Sequence, residues 1–455
     1  MGRTQTAEIA VMSAIPMVLT YRVPEGMLVC VGCRVVVPVR KTARVGIAVS
    51  VNMDSEDSEG LKPIERVLDA EPLLPAELMD LLLWASRYYH APMGATLALA
   101  FPPYLRRARP AVLPDEQRIF RTGTGKGVVG RRQHEILNAV PEQGLSLERF
   151  RELFPGCSGS FKALIERGFL EYRPYVPSST QVSIPESPLT HTPEQKQAVA
   201  MIGSALEEGR FRSFVLHGIT GSGKTEVYLS SAVRALAMGR SVLYLVPEIA
   251  LTPQTVSMIQ ERIPVELAVF HSGLPPAARA REFLKAARSR VSFVLGTRSA
   301  VFSPLANLGL IVVDEEHDQS YKQEDGIPYN ARDLSLLRAR NNRAVVVLGS
   351  ATPSMEVYLK CTAKDYTLIT MSTRTGGASL PGIEVIDMRG VGNAVSDRLA
   401  LALGETMEKN EQALLFINRR GFSPAMVCPA CGLALRCIRC DRSLTYHRRK
   451  GSGVC

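Results

Sequence analysis

The sequence predicts a multidomain α/β protein built around one parallel sheet. Three observations carry this. Buried-strand runs at 214–216, 242–246, 267–270, 293–295, 310–313 and 345–348 alternate with helical stretches, the pattern of a parallel sheet covered on both faces. A glycine-rich run at 218–225 sits between the first of those strands and a helical stretch. The chain has 455 residues, too many for one ordinary domain, and three to four are expected.

The 46% hydrophobic and 22% charged fractions supply packed cores and exclude a disordered composition. Lys plus Arg number 54 against 44 Asp plus Glu, a formal charge of +10 that favours polyanionic partners, either nucleic acid or an anionic membrane surface. No apolar run is long enough for a spanning helix, and Ser13 and Pro16 break the N-terminal apolar stretch, so a cytoplasmic protein is expected.

Taken in order, 1–105 is expected to be a small β-rich module. Alternating short strands run from Glu8 to Val51, and a helix follows over 75–89, where Leu78, Leu81, Leu82, Ala85 and Tyr88 recur at helical spacing. Residues 106–188 form a basic linker, then a helix-turn-helix and short strand whose size suits a winged-helix-like module or a plain helical spacer, then a Pro-, Ser- and Thr-rich linker. The P-loop domain covers 189–375. A second α/β unit begins over 376–427, with a strand at 413–417, and a cysteine-rich region covers 428–455.

The run Gly218-Ile219-Thr220-Gly221-Ser222-Gly223-Lys224-Thr225 is a P-loop. Its glycines let consecutive backbone N–H groups curl around phosphates, and the helix N-terminus adds partial positive charge. Lys224 is placed to reach the β- and γ-phosphates of ATP, and the Thr225 hydroxyl to bind Mg²⁺. Asp314-Glu315-Glu316-His317 ends the strand at 310–313, where open parallel sheets bind ligands. Asp314 is expected to hold Mg²⁺ through water, and Glu315 to polarise the attacking water.

Five of the nine cysteines lie in the last 28 positions. Cys428-Pro429-Ala430-Cys431 and Cys437-Ile438-Arg439-Cys440 have the spacing of paired thiolates on tetrahedral Zn²⁺, and Cys455 follows. Cys30 and Cys33 have the same spacing in a strand-like run and are read as structural.

The P-loop, the DEEH box and Gly349-Ser350-Ala351-Thr352-Pro353-Ser354 together resemble superfamily-2 helicases. The narrower resemblance is to the bacterial replication-restart helicases of the PriA family. It runs through 317–323 and Tyr329-Asn330-Ala331-Arg332-Asp333, similar to that family's aromatic-rich loop, and through 415–421, similar to its motif IV. Leu81-Leu82-Leu83-Trp84-Ala85 with Tyr88-Tyr89-His90 supports it in the first module.

The resemblance implies a RecA-like helicase lobe, a 3′→5′ ATP-dependent DNA helicase that recognises stalled forks and helps load the replicative helicase. Implied partners are forked and single-stranded DNA, primosome proteins and single-stranded-DNA-binding protein. It implies adenine reading by Gln197, with Gln195 as the alternative, and DNA contacts from Lys62 in a 3′-end pocket and from Arg298, Tyr329 and Arg332. Segments 247–254 and 296–300 look like strand-gripping segments of the first lobe. Two departures bear on the pocket: Leu19 and Thr20 precede Tyr21, and Val37-Pro38-Val39-Arg40 replaces the usual Val-Pro-Phe-Gly. The family's interleaved zinc pattern would leave Cys428 and Cys431 without partners and Cys437, Cys440 and Cys455 with three ligands of four. Motifs V and VI would lie beyond Cys455, so a truncated helicase is expected. An ATP- and DNA-binding scaffold without unwinding is the alternative.

Overall fold

The computed structural model describes residues 5–52, 60–109, 111, 117–125, 127–141, 144–174, 191–263, 265–375, 382–389, 395–416, 426, 428, 431, 433–438, 440, 443–447 and 452–454. The chain divides into two compact units, Met1–Ala378 and Ser379–Cys455.

The first unit opens with β1 (Thr6–Val11), β2 (Leu19–Arg22), β3 (Arg34–Val39), β4 (Thr42–Asn52) and β5 (Arg66–Val67), an antiparallel sheet in the order β2-β1-β4-β3-β5. Two helices follow, α1 (Ala76–Tyr88) and α2 (Met93–Ala100). The expected helix is α1, and its apolar stripe buries Leu78, Leu81, Leu82 and Ala85. Helix α2 escaped the sequence reading because it is apolar all round, with no amphipathic period to find. A Cβ on Gly94 would overlap the Val11 carbonyl, so α2 lies directly on the end of β1. Arg34, fully buried, closes the module. It forks onto Asp69 at 2.8 and 2.7 Å and donates to the Leu105 carbonyl at 2.6 Å.

Next come β6 (Gln117–Arg121), α3 (Arg131–Ala139), β7 (Leu145–Ser146), α4 (Leu147–Leu153), α5 (Ser158–Glu166) and β8 (Leu170–Pro174). The strands pair antiparallel as β7-β6-β8. Ile119, Ile136, Phe161 and Leu164 fill the space between sheet and helices. Residues 117–121, read from their charge as linker, are therefore the central strand. Strand pairing on both sides decides this.

The third part contains α6 (Pro193–Glu208), β9 (Arg212–Gly218), α7 (Lys224–Ala237), β10 (Ser241–Leu245), α8 (Pro253–Arg262), β11 (Leu267–Phe270), α9 (Pro276–Ala287), β12 (Phe293–Gly296), β13 (Leu308–Val313), the short hairpin β14 (Lys322–Gln323) and β15 (Tyr329–Asn330), α10 (Ala331–Asn341), β16 (Val345–Ser350), α11 (Met355–Thr362) and β17 (Thr367–Met371). Seven of these strands form a parallel sheet in the order β11-β12-β10-β13-β16-β9-β17. Six were legible as apolar runs. The edge strand β17, exposed at alternate positions, was not.

One face of the sheet packs on Ala198, Val227 and Ile259 from α6, α7 and α8. The other packs on Phe283 and Leu334 from α9 and α10, in a core that also takes in Leu78 and Leu97 of α1 and α2. The first module is thus bonded to this sheet domain, with Phe101 and Phe283 ring centroids 5.6 Å apart and Arg338 3.3 Å from Glu77.

The second unit contains α12 (Asp397–Glu408) and a two-stranded hairpin, β18 (Thr445–His447) and β19 (Ser452–Val454). The strand expected at 413–417 is not formed over its described part, 413–416, where Leu414 is 95% and Phe416 87% exposed. Apolar β-formers make a strand only when a neighbour pairs with them, and none does so among the described residues. Nor, among those residues, is any helix long and apolar enough to cross a membrane.

Candidate nucleotide and DNA site

The P-loop begins where β9 stops at Gly218 and ends where α7 starts at Lys224. Gly221 and Gly223 have φ of +81° and +80°, the left-handed region that side-chain-bearing residues avoid. Gly218 also has no space for a Cβ, which would sit 2.5 Å from the Ser222 hydroxyl. Lys224 is 9% exposed, and its ammonium donates to the Gly218 carbonyl at 2.9 Å.

Asp314 follows β13 at the same rim of the sheet. Only β16 separates β13 from β9, so the two loops are neighbours. The Lys224 ammonium lies 3.9 Å from Glu315 Oε1. Glu315 itself has φ +45°, a strained conformation held by the turn after β13. Asp314 accepts from the Tyr228 hydroxyl at 3.1 Å, the Tyr244 hydroxyl at 3.5 Å and the Glu315 amide at 3.0 Å. Burial, with the Glu315 charge beside it, pushes Asp314 up to about 6, while the Tyr228 hydrogen bond pulls the other way. Burial also holds both tyrosine hydroxyls well above their ordinary range, so they stay donors.

Glu316 and His317 tie this box to 349–354. Glu316 is 2% exposed and accepts from Arg332 at 3.1 Å and from the Ser354 amide and hydroxyl at 2.6 and 3.0 Å. His317 Nδ1 lies 2.7 Å from the Ser350 hydroxyl. Tyr228, Tyr244 and Glu316 were missed from sequence. Tyr228 stands three residues past the P-loop and Tyr244 three before the segment at 247–254, outside either pattern, and only the glutamate belonged to a named box.

The sequence-named residues fall in different surroundings. Gln195 is 3% exposed. Its side chain completes the capping box at Thr192 and donates to the Ser222 carbonyl in the P-loop at 3.2 Å. Gln197, two residues further on and so on the opposite side of the helix, is exposed. Ile219, Thr220 and Gly221 are exposed at the loop tip, Ser222 is buried, and Thr225 is half-buried. Arg298 donates to the Ser320 and Lys322 carbonyls at 3.1 and 2.8 Å and lines a cleft with Gln319, Gln323 and Asp325. Arg332, expected on DNA, is held inward by Glu316, Asp333 and the Ser354 hydroxyl. Tyr329, expected to stack on bases, is 4% exposed and packs edge-on against Phe302 at 5.0 Å. Burial leaves the ring little open face in this structure.

Lys62 donates to the Arg40 carbonyl at 3.3 Å. Arg40, with φ +54°, lines a cleft with Leu19, Tyr21, Pro38 and Val39, so both departures noted in the sequence converge there. Cys428, Cys431 and Cys440 are exposed and Cys437 is half-buried, in turns closed by Cys428 N–H to Leu433 O at 2.9 Å and Leu435 N–H to Met426 O at 2.8 Å. Cys455 lies outside the described residues.

Residues 8–102 match the family model of the PriA 3′DNA-binding domain, and 192–359 match DEAD/DEAH box helicase. The chain is 35% identical over 97% of its length to replication restart protein PriA of Haemophilus influenzae. It is 34% identical over 99% to that of Chlamydia pneumoniae, and 33% identical over 94% to that of Bacillus subtilis. It spans 62%, 63% and 63% of those relatives' lengths. A solved structure of RecG bound to a three-way DNA junction matches 42% of this chain and 25% of that one, at 20% identity and a TM-score of 0.31. Over nearly its whole length this chain is therefore similar to the replication restart proteins PriA.

Proposed function

We propose that this protein is an ATP-dependent 3′→5′ DNA helicase of replication restart, acting on stalled or collapsed forks and helping to load the replicative helicase. The observation that carries the reading is the 3.9 Å approach of Lys224 to Glu315 at one rim of one sheet. It puts a phosphate-binding lysine and a carboxylate base around a single space, as in-line phosphoryl transfer requires.

Residues Gly218 to Thr225 would hold the triphosphate of ATP, and Thr225 and Asp314 would hold Mg²⁺, which supplies charge neutralisation on the phosphates. The residues fit that group: the glycines leave no Cβ in the way, and Asp314 ionises in the neutral range. Lys224 contributes fixed positive charge, and Glu315 orients and deprotonates the attacking water. His317, on Ser350, and Glu316, on Ser354, carry changes at this rim into 349–354, which couples hydrolysis to movement on DNA.

DNA would be held by Lys62 and Arg40 at the 3′-end cleft and by Arg298 at the sheet rim. We keep Gln197 as the adenine reader because it is exposed, and assign Gln195 to shaping the P-loop. The part from β6 to β8 is read as winged-helix-like from its three helices on a small antiparallel sheet. The boundaries are placed at 105, 188, 375 and 427, the third close to the division of the two compact units. Forked and single-stranded DNA, primosome proteins and single-stranded-DNA-binding protein are the proposed partners, in the cytoplasm. Zn²⁺ on Cys437, Cys440 and Cys455, with Cys428 and Cys431 beside them, rests on CxxC spacing alone. Among the described residues no group of three His, Cys, Asp or Glu side chains is gathered for a metal.

The test is ATP turnover with and without a forked DNA, beside Lys224→Ala. DNA-stimulated turnover that the substitution abolishes is expected. ATP binding without any turnover would leave only a DNA-binding scaffold.

A further inference from the structure

A cleft of about 300 Å³ lies between the end of the first module and the sheet domain. Arg106 lines it from one side, Arg279 and Ser303 from the other, with Ser299 and Gln323 at its edge. Among the described residues no carboxylate lines it.

The two arginines are oriented but not neutralised. Arg106 Nε donates to the Phe101 carbonyl at 2.8 Å, and Arg279 Nη2 to the His271 and Ser272 carbonyls at 3.2 and 2.7 Å. All of these acceptors are uncharged. Two donors are left over: Arg279 Nε and the Ser303 hydroxyl are buried without a hydrogen-bond partner, and Ser303 is 1% exposed. Burial and the Arg279 charge both push Arg106 below its ordinary range, the sign of two cations sharing a desolvated space. Buried polar groups are normally satisfied, so an orphaned guanidinium nitrogen and an orphaned hydroxyl in one cationic cleft call for an anionic acceptor.

We infer that this cleft is a phosphate-binding site that takes one backbone phosphodiester of single-stranded DNA as the strand passes between the two domains. The inference rests on the DNA-binding reading above and deepens it. Ser299 belongs to the segment at 296–300 that reads as a strand grip, and the far wall runs from the end of the module that matches the 3′DNA-binding domain, at Leu99 to Pro102, to Arg106 just beyond it. Arg106, Arg279 and Ser303 lie outside every motif named from the sequence. A phosphate here holds the strand's path without reading sequence.

The test compares the full chain with the double variant Arg106→Gln/Arg279→Gln in binding a fluorescent single-stranded oligonucleotide across a salt series. Weaker binding to all sequences alike is expected, with the slope of log K against log[salt] reduced by about one. Arg279→Lys keeps the charge and should keep the slope. If the double variant does not fold, Arg106→Gln alone should show a smaller loss in the same direction. If the full chain binds DNA and the folded variants keep its affinity and slope, the cleft assignment is wrong and the motor reading stands. If the full chain binds no DNA, both fail. Inorganic phosphate provides the other arm: if it stabilises the full chain but not the double variant against heat, while DNA binding of the two is equal, the cleft takes free anions and the DNA assignment falls.

Discussion

The hydroxyl of Tyr228, on the helix that follows the P-loop, donates to Asp314 Oδ1 at 3.1 Å. It passes so close to β16 that a Cβ on Gly349 would overlap it. Helix α7 and the end of β13 are therefore linked by a side chain as well as by the space between Lys224 and Glu315.

Tyr228→Phe removes a donor that favours the Asp314 carboxylate. Asp314 stands at about 6 and should move higher. The acid limb of the pH profile for ATP turnover (kcat/KM) should shift upward by several tenths of a pH unit, with little change above pH 8. An unmoved limb would separate Asp314 from the titration.

Asp314→Asn tests the same group through stability. The folded-state value, about 6, lies above the ordinary 3.8, so the ionised carboxylate is a liability in the folded protein above pH 6. That liability disappears as pH falls from 6 to below 4, where both states are protonated. The substitution should raise unfolding free energy by on the order of 1–3 kcal/mol at pH 8 and not at pH 4, while abolishing turnover. Urea melts at the two pH values read this out; equal effects at both would refute it.

Glu316→Ala leaves Arg332 facing a buried gap and strips the Ser354 amide of its acceptor. Breaking one side of a buried pair costs roughly 3–5 kcal/mol. Denaturant unfolding of the two single variants and the double variant should show strong coupling between Glu316 and Arg332. Additive losses would mean that the pair is incidental.

Gln195→Ala and Gln197→Ala should behave differently. The first removes half a capping box, roughly 1 kcal/mol, and the support of Ser222, so it should weaken ATP and GTP binding alike. The second should reduce the preference for ATP over GTP with stability unchanged. Calorimetric titration of both nucleotides distinguishes them, and the reverse pattern would exchange the two roles.

Zinc that survives dialysis is expected in the purified chain and should be lost in Cys437→Ser/Cys440→Ser, as elemental analysis can measure. Equal metal in both, or none in the parent, removes the cysteine pairs from consideration.

The sequence by itself determined the P-loop, the carboxylate box and six of the seven strands that bring them to one rim. Those signals are local: glycine spacing, apolar run length and strand-loop-helix order are written within a few residues of each other. The tertiary structure alone decided where long side chains end. Tyr329 and Arg332 have the chemistry of DNA contacts, but neighbours distant in sequence, Phe302 and Glu316, draw them inward. Residues 117–121 became a strand, and 413–416 did not, because a strand exists only where a partner pairs with it. Tyr244 on Asp314, Gln195 on Ser222 and the arginine cleft share that character, since each depends on a contact across the fold that no local pattern encodes.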